Sequence, residues 1–103
     1  MNSYIDLRGA SGAVYRYTLA ENAKPRTAVS GTFVYIKAGK PEPQVLYAGQ
    51  TLNLSEGASE LWAQAREQGA THLFTRLNVA SAAREAELAD LLAVETPPMN
   101  ERN

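Results

Sequence analysis

Residues able to do chemistry are few in this chain and widely spaced. Histidine occurs once and cysteine not at all, which removes thiolate ligands and disulfides and argues against a zinc site. The single histidine, His72, stands between Thr71 and Leu73 on a strand-like run. There a hydrogen-bonded structural role outweighs that of a base or ligand. Glu85, Glu87 and Asp90 form a carboxylate cluster whose spacing reads as the solvated face of a helix. Gly9-x-x-Gly12 and Gly39 fall in turns, so no glycine-rich loop joins a strand to a helix to cradle phosphate. What remains is a pair of tyrosines, Tyr35 and Tyr47, on two neighbouring aromatic and β-branched runs.

Those runs must be positioned by one small domain. A chain of 103 residues with 45% hydrophobic and 20% charged composition is an ordinary globular protein with one modest core. It has no apolar run of membrane-spanning length. The opening residues, MNSYIDLR, lack the basic-then-apolar pattern of a signal peptide, so the expected location is the cytoplasm. Net charge is −1 but unevenly spread. Residues 1–40 carry six basic side chains against two acids, and residues 41–103 carry four arginines against nine acids. The basic half could track phosphates, but on so modest an excess the better reading is solvated side chains on edge strands.

Taken in order, Tyr4–Arg8 alternates apolar and polar, Gly9–Gly12 is a turn and Ala13–Leu19 returns, so residues 3–19 read as a hairpin. The polar connection from Ala20 to Ser30 is expected to be the most mobile segment of the first half. Gly31–Lys37 and Gln44–Ala48 read as a second hairpin around a turn with two prolines. Alternation puts Thr32, Val34 and Ile36 on one face and Phe33, Tyr35 and Lys37 on the other. One face is expected to meet the core and the other to line a surface or groove. Asn53-Leu-Ser-Glu56 has the form of a capping box, and a helix should follow to about Gln68, with Leu61, Trp62 and Ala65 inward. Ala70–Leu77 reads as a strand. Ser81 should cap a second helix of about fourteen residues, with Leu88, Ala89, Leu91 and Leu92 at core spacing. The sum is a single α+β domain over 1–103: a largely antiparallel sheet, with the 3–19 hairpin and a 31–100 core, and two main helices packed on it.

This layout resembles the GIY-YIG nuclease family, the small bacterial members in particular. Gly31-Thr32-Phe33 sits at the first half of the signature and Tyr47-Ala48-Gly49 at the second. Gly69-Ala70-Thr71-His72 and the ending Pro97-Pro98-Met99-Asn100 fall in the same order, so the likeness spans nearly the whole chain. The resemblance implies a metal-dependent DNA endonuclease. In such an enzyme tyrosines of the two signature strands orient water, an arginine on the first helix steadies phosphate and a later glutamate holds Mg²⁺.

Carried over residue by residue, the resemblance places the second tyrosine at Tyr47 and the terminal asparagine at Asn100. The first tyrosine falls on Phe33, which has no hydroxyl, and Tyr35 lies two residues further on, ~7 Å along the strand. The arginine position falls near Gly57, and no cation occurs between Lys40 and Arg66. The metal glutamate falls on Leu88, with Glu87 adjacent but rotated ~100° around a helix. The resulting expectation is a nuclease-like scaffold without cleavage activity or cofactor, binding a protein or nucleic acid. The alternative is an active Mg²⁺ endonuclease using Tyr47, Tyr35, Asn100, Glu87 and a displaced arginine such as Arg66 or Arg76; Lys37, Lys40, Arg66 and Arg76 are the candidate binding residues.

Overall fold

In a computed structural model, described here over residues 1–100, the run Gly31–Lys37 becomes the middle of the fold. Five strands form: β1 Tyr4–Arg8, β2 Val14–Leu19, β3 Gly31–Lys37, β4 Gln44–Thr51 and β5 His72–Leu77. They make one sheet in the order β1-β2-β5-β3-β4, with every neighbour antiparallel. Three helices accompany it: α1 Leu54–Gly57, α2 Trp62–Glu67 and α3 Ser81–Leu92. The α+β class and both hairpins are as expected. The N-terminal hairpin joins the core directly, because β2 pairs with β5. No helix among the described residues is long and apolar enough to cross a membrane.

Both faces of β3 are buried, and this corrects the expectation of one solvent-facing side. Residues Gly31–Ile36 are all buried. Phe33 and Tyr35 pack with Leu46, Leu54, Ala58, Ala65 and Leu73 under α1 and α2. Val34 and Ile36 pack with Leu7, Tyr17, Val45, Phe74 and Leu91 under α3. An almost unbroken apolar run is what a strand covered on two faces requires. Lys37 alone leaves the core.

The single helix expected to follow Asn53 is two short ones. Asn53 caps the first as expected, its Oδ1 accepting from the Ser55 N–H at 3.0 Å. The break lies where the Tyr35 hydroxyl enters the helical ladder. It donates to Ala58 O at 2.6 Å and accepts from Leu61 N–H at 3.2 Å. The Trp62 N–H turns to Ser59 O instead of Ala58 O. A side chain inserted into an i→i−4 ladder is a known cause of a kink.

α3 is twelve residues long, and its N-cap is Ala80 without a side-chain cap, so Ser81 is its first residue and not its cap. Leu88, Leu91 and Leu92 face the second core as expected, whereas Ala89 is exposed. β4 runs on to Thr51, three residues past the expected end, because Gly49-Gln50-Thr51 pairs with Gly31–Phe33.

Candidate functional site

The alternation along β3 and β4 brings three rings together on the α1–α2 face. Tyr35 lies opposite Tyr47 in register, their centroids 5.4 Å apart and stacked. Phe33 closes the group at 5.5 Å from Tyr35 and 5.8 Å from Tyr47. A bulge between Tyr35 and Ile36 puts Leu46 and Tyr47 on the same face. Tyr47 is half-buried and lies over Gly49, where a Cβ would come within 3.0 Å of its Oη. Tyr35 is wholly buried, and burial pushes its hydroxyl up to about 12. It is neutral at physiological pH, with its proton committed to Ala58 O, so it serves as a structural donor rather than as a base.

Asn100 stands beside this group along the backbone. Its amide clasps Ala48 twice, with Nδ2–H donating to Ala48 O and Ala48 N–H donating to Oδ1, both at 2.8 Å. Met99 N–H donates to Leu46 O at 3.0 Å and its side chain is buried. The tail, a turn at Pro98–Asn100, therefore covers the outer edge of β4 at Leu46 and Ala48.

The remaining expected residues lie elsewhere. At Gly57, α1 rests so close on β4 that a Cβ would stand 2.1 Å from Thr51 Oγ1 and 2.9 Å from Thr51 Cβ. The position where the resemblance wants an arginine has no room for a side chain in this packing. Leu88 is half-buried in the core under α3. Glu87 is paired with Arg76, Oε1 to Nε at 2.8 Å and Oε2 to Nη2 at 3.4 Å. The pair lies on the Val34–Phe74 side of the sheet, since Arg76 lies opposite Thr32 in register. Tyr47 and Glu87 are thus separated by the sheet itself. Lys37, Lys40 and Arg66 are exposed.

A Mg²⁺ site would need several oxygen donors converging on one point. Among the described residues no group of three or more His, Asp or Glu side chains is placed to share a metal ion. Both oxygens of Glu87 are already bound by a guanidinium. The donor set does not fit the cation that the resemblance implies.

Two polar centres escaped the sequence reading, both on α3. Asp90 gathers the first turn: Tyr15 Oη donates to Oδ2 at 2.6 Å, Ser11 Oγ to Oδ2 at 2.7 Å and Ser11 N–H to Oδ1 at 2.8 Å. The Tyr15 and Ser11 donors hold this carboxyl below the usual range. Arg84 is buried, donating to Gln50 Oε1 at 3.0 Å, Asn78 O at 3.1 Å and Val79 O at 3.4 Å. Its position four residues before Leu88 and seven before Leu91 is on the core stripe, a periodic signal that could have found it. Compared with known proteins, the chain matches no family model, no curated protein and no solved structure.

Proposed function

We propose that this chain is a cytoplasmic, non-cleaving binding module on a GIY-YIG-like scaffold, and that its partner is a protein. One observation carries the reading: the groups that phosphodiester cleavage would need to converge lie on opposite faces of the sheet. Tyr35 and Tyr47 stack under the α1–α2 layer, while Glu87 and Arg76 neutralise each other on the α3 side. Cleavage requires an activated oxygen, a cation over the phosphate and a metal within a few ångströms of one point. A fold by itself confers none of these.

A protein partner is favoured over nucleic acid by the surface. Leu77 and Thr51 flank Gly31 at one end of the sheet. There Leu52, Leu77 and Val79 are 78%, 58% and 71% exposed. Apolar groups gathered at one end of a small domain suit a protein interface.

Supercoiled plasmid with Mg²⁺ or Mn²⁺ tests the first half of this reading, alongside EDTA and Tyr47→Phe controls. The plasmid should remain intact. Nicking lost in both controls would overturn the reading and establish a metal-dependent endonuclease. Salt tests the second half: an apolar protein interface responds weakly to added salt, whereas phosphate binding falls steeply.

A further inference from the structure

Trp62 and Arg66, one turn apart on α2, and His72, at the start of β5, line one groove. It lies between the end of β2, α2 and the start of β5, and its volume is about 600 Å³. Its walls hold the apolar Leu19 and Leu73 and the polar Asn22 and Thr71, and no carboxylate lines it. Small-molecule sites have volumes of roughly 300–1,000 Å³ and combine apolar walls with a few convergent polar groups.

The polar groups here have little else to do. The Arg66 side chain is exposed and makes no hydrogen bond or ion pair among the described residues. Trp62 packs edge-on against Tyr35, with centroids 5.4 Å apart, and stays half-buried. Its indole N–H has no partner among the described residues. His72 Nδ1 lies 2.8 Å from Thr71 Oγ1, which leaves Nε2 as its remaining hydrogen-bonding atom. Lys37 adds a second cation nearby, its chain lying over Gly69 between Arg66 and Ala70. At the rim, Asn22 and Ala23 are both left-handed, at φ 56 and 55. A Cβ disfavours that conformation, and such outliers gather at ligand-binding segments.

We propose that this groove binds a planar, ring-bearing anion of the nucleoside monophosphate class. The Arg66 fork suits two phosphate oxygens, His72 Nε2 can take a third polar contact, and the indole offers an aromatic surface and a donor to the base. The same chemistry could arrive as a free nucleotide or as the 5′-phosphorylated end of a strand. Neither Tyr47 nor Asn100 lines the groove. The inference therefore goes beyond the function proposed above and does not rest on it.

Trp62 is the only tryptophan in the chain, so its emission reports on the groove directly. The intact protein is titrated with AMP, adenosine, inorganic phosphate, and an oligonucleotide with and without a 5′-phosphate. AMP should give a saturable change, and adenosine or phosphate alone should bind at least about ten-fold more weakly. Arg66→Ala should weaken AMP by about ten-fold or more with an unchanged circular dichroism spectrum, since the Arg66 side chain makes no other hydrogen bond or ion pair among the described residues. Tighter binding of the 5′-phosphorylated strand than of AMP would identify the strand end as the source; the reverse order would identify the free nucleotide. The proposal is overturned if neither ligand changes Trp62 emission and labelled AMP is not retained in equilibrium dialysis. It is equally overturned if Arg66→Ala binds AMP as tightly as the parent.

Discussion

Removing the Tyr35 hydroxyl should loosen the α1–α2 layer, by an amount that depends on pH in a defined way. In Tyr35→Phe the ring stays and two hydrogen bonds go, the 2.6 Å bond to Ala58 O and the 3.2 Å bond from Leu61 N–H. Ala58 is fully buried, so its carbonyl is left without a partner. An orphaned buried acceptor costs about 1–3 kcal/mol, whereas Leu61 is half-exposed and its N–H can turn to water. The expected loss near neutral pH is therefore about 2 kcal/mol, a fall in Tm of roughly 8–16 °C for a domain of this size. The hydroxyl is held up at about 12, against an ordinary value of 10.0. Because the folded value is the higher, its contribution is complete below pH 10 and is lost as pH rises towards 12. Two units correspond to roughly 3 kcal/mol, comparable to the whole effect of the substitution. Urea unfolding of parent and variant, followed from pH 7 to about 12, should show a stability difference that is constant to about pH 10 and then shrinks almost to zero. A variant within 0.5 kcal/mol of the parent at pH 7, by the ordinary scale of surface substitutions, would refute the wedge. So would a difference that does not change above pH 10.

Gly57→Ala sets two effects against each other. Helix propensity favours alanine by about 1 kcal/mol, but the new Cβ would stand 2.1 Å from Thr51 Oγ1 and 2.9 Å from Thr51 Cβ. Rotating the hydroxyl relieves only the first contact, so the variant should be less stable by about 1–3 kcal/mol. In a Thr51→Gly background, which itself loses the Thr51 Oγ1 hydrogen bonds to Asn53, Gly57→Ala should cost little, and a raised Tm for Gly57→Ala alone would contradict the packing. Asp90 is held below its ordinary value by Tyr15 and then Ser11, so its contribution is present above about pH 4 and is lost as pH falls. Exchange protection of the Ser11 amide, corrected for intrinsic rate, should fall on acidification and be absent throughout in Asp90→Ala; protection unaltered by either change would remove Asp90 as the anchor of that turn.

Much of the frame could be read locally. The hairpin of Tyr4–Leu19, the pairing of β3 with β4, and the inward set Leu88, Leu91 and Leu92 all follow from periods of two and 3.6 within a few residues. The facing of Tyr35 and Tyr47 was legible too, since both sit at matching positions of strands that alternate. What could not be read depends on residues far away in the chain. The split between α1 and α2 is imposed by Tyr35, 23 residues before Ala58. The solvated appearance of Glu87 and Asp90 gives way to Arg76, Tyr15 and Ser11, brought up by β5 and the first turn. Burial on both sides of β3 was legible in its almost unbroken apolar run, a signal that alternation alone does not carry. At the groove, Trp62 and Arg66 share one face of α2, four residues apart, which is a local signal, but His72 is brought to them by β5 and nothing local shows that.

The clasp of Asn100 on Ala48 limits how copies of this protein could assemble. A sheet has two outer strands, and open-ended stacking needs the first strand of one copy to seat against the last strand of the next. In this protein the last strand, β4, is occupied by the chain's own Met99 and Asn100. Growth of that kind would have to displace the tail from the middle of β4. The edge left uncovered is β1, and pairing of β1 in both copies closes on itself as a two-fold pair. Two side-chain hydrogen bonds to one residue thus weigh against a fibre without bearing on a dimer.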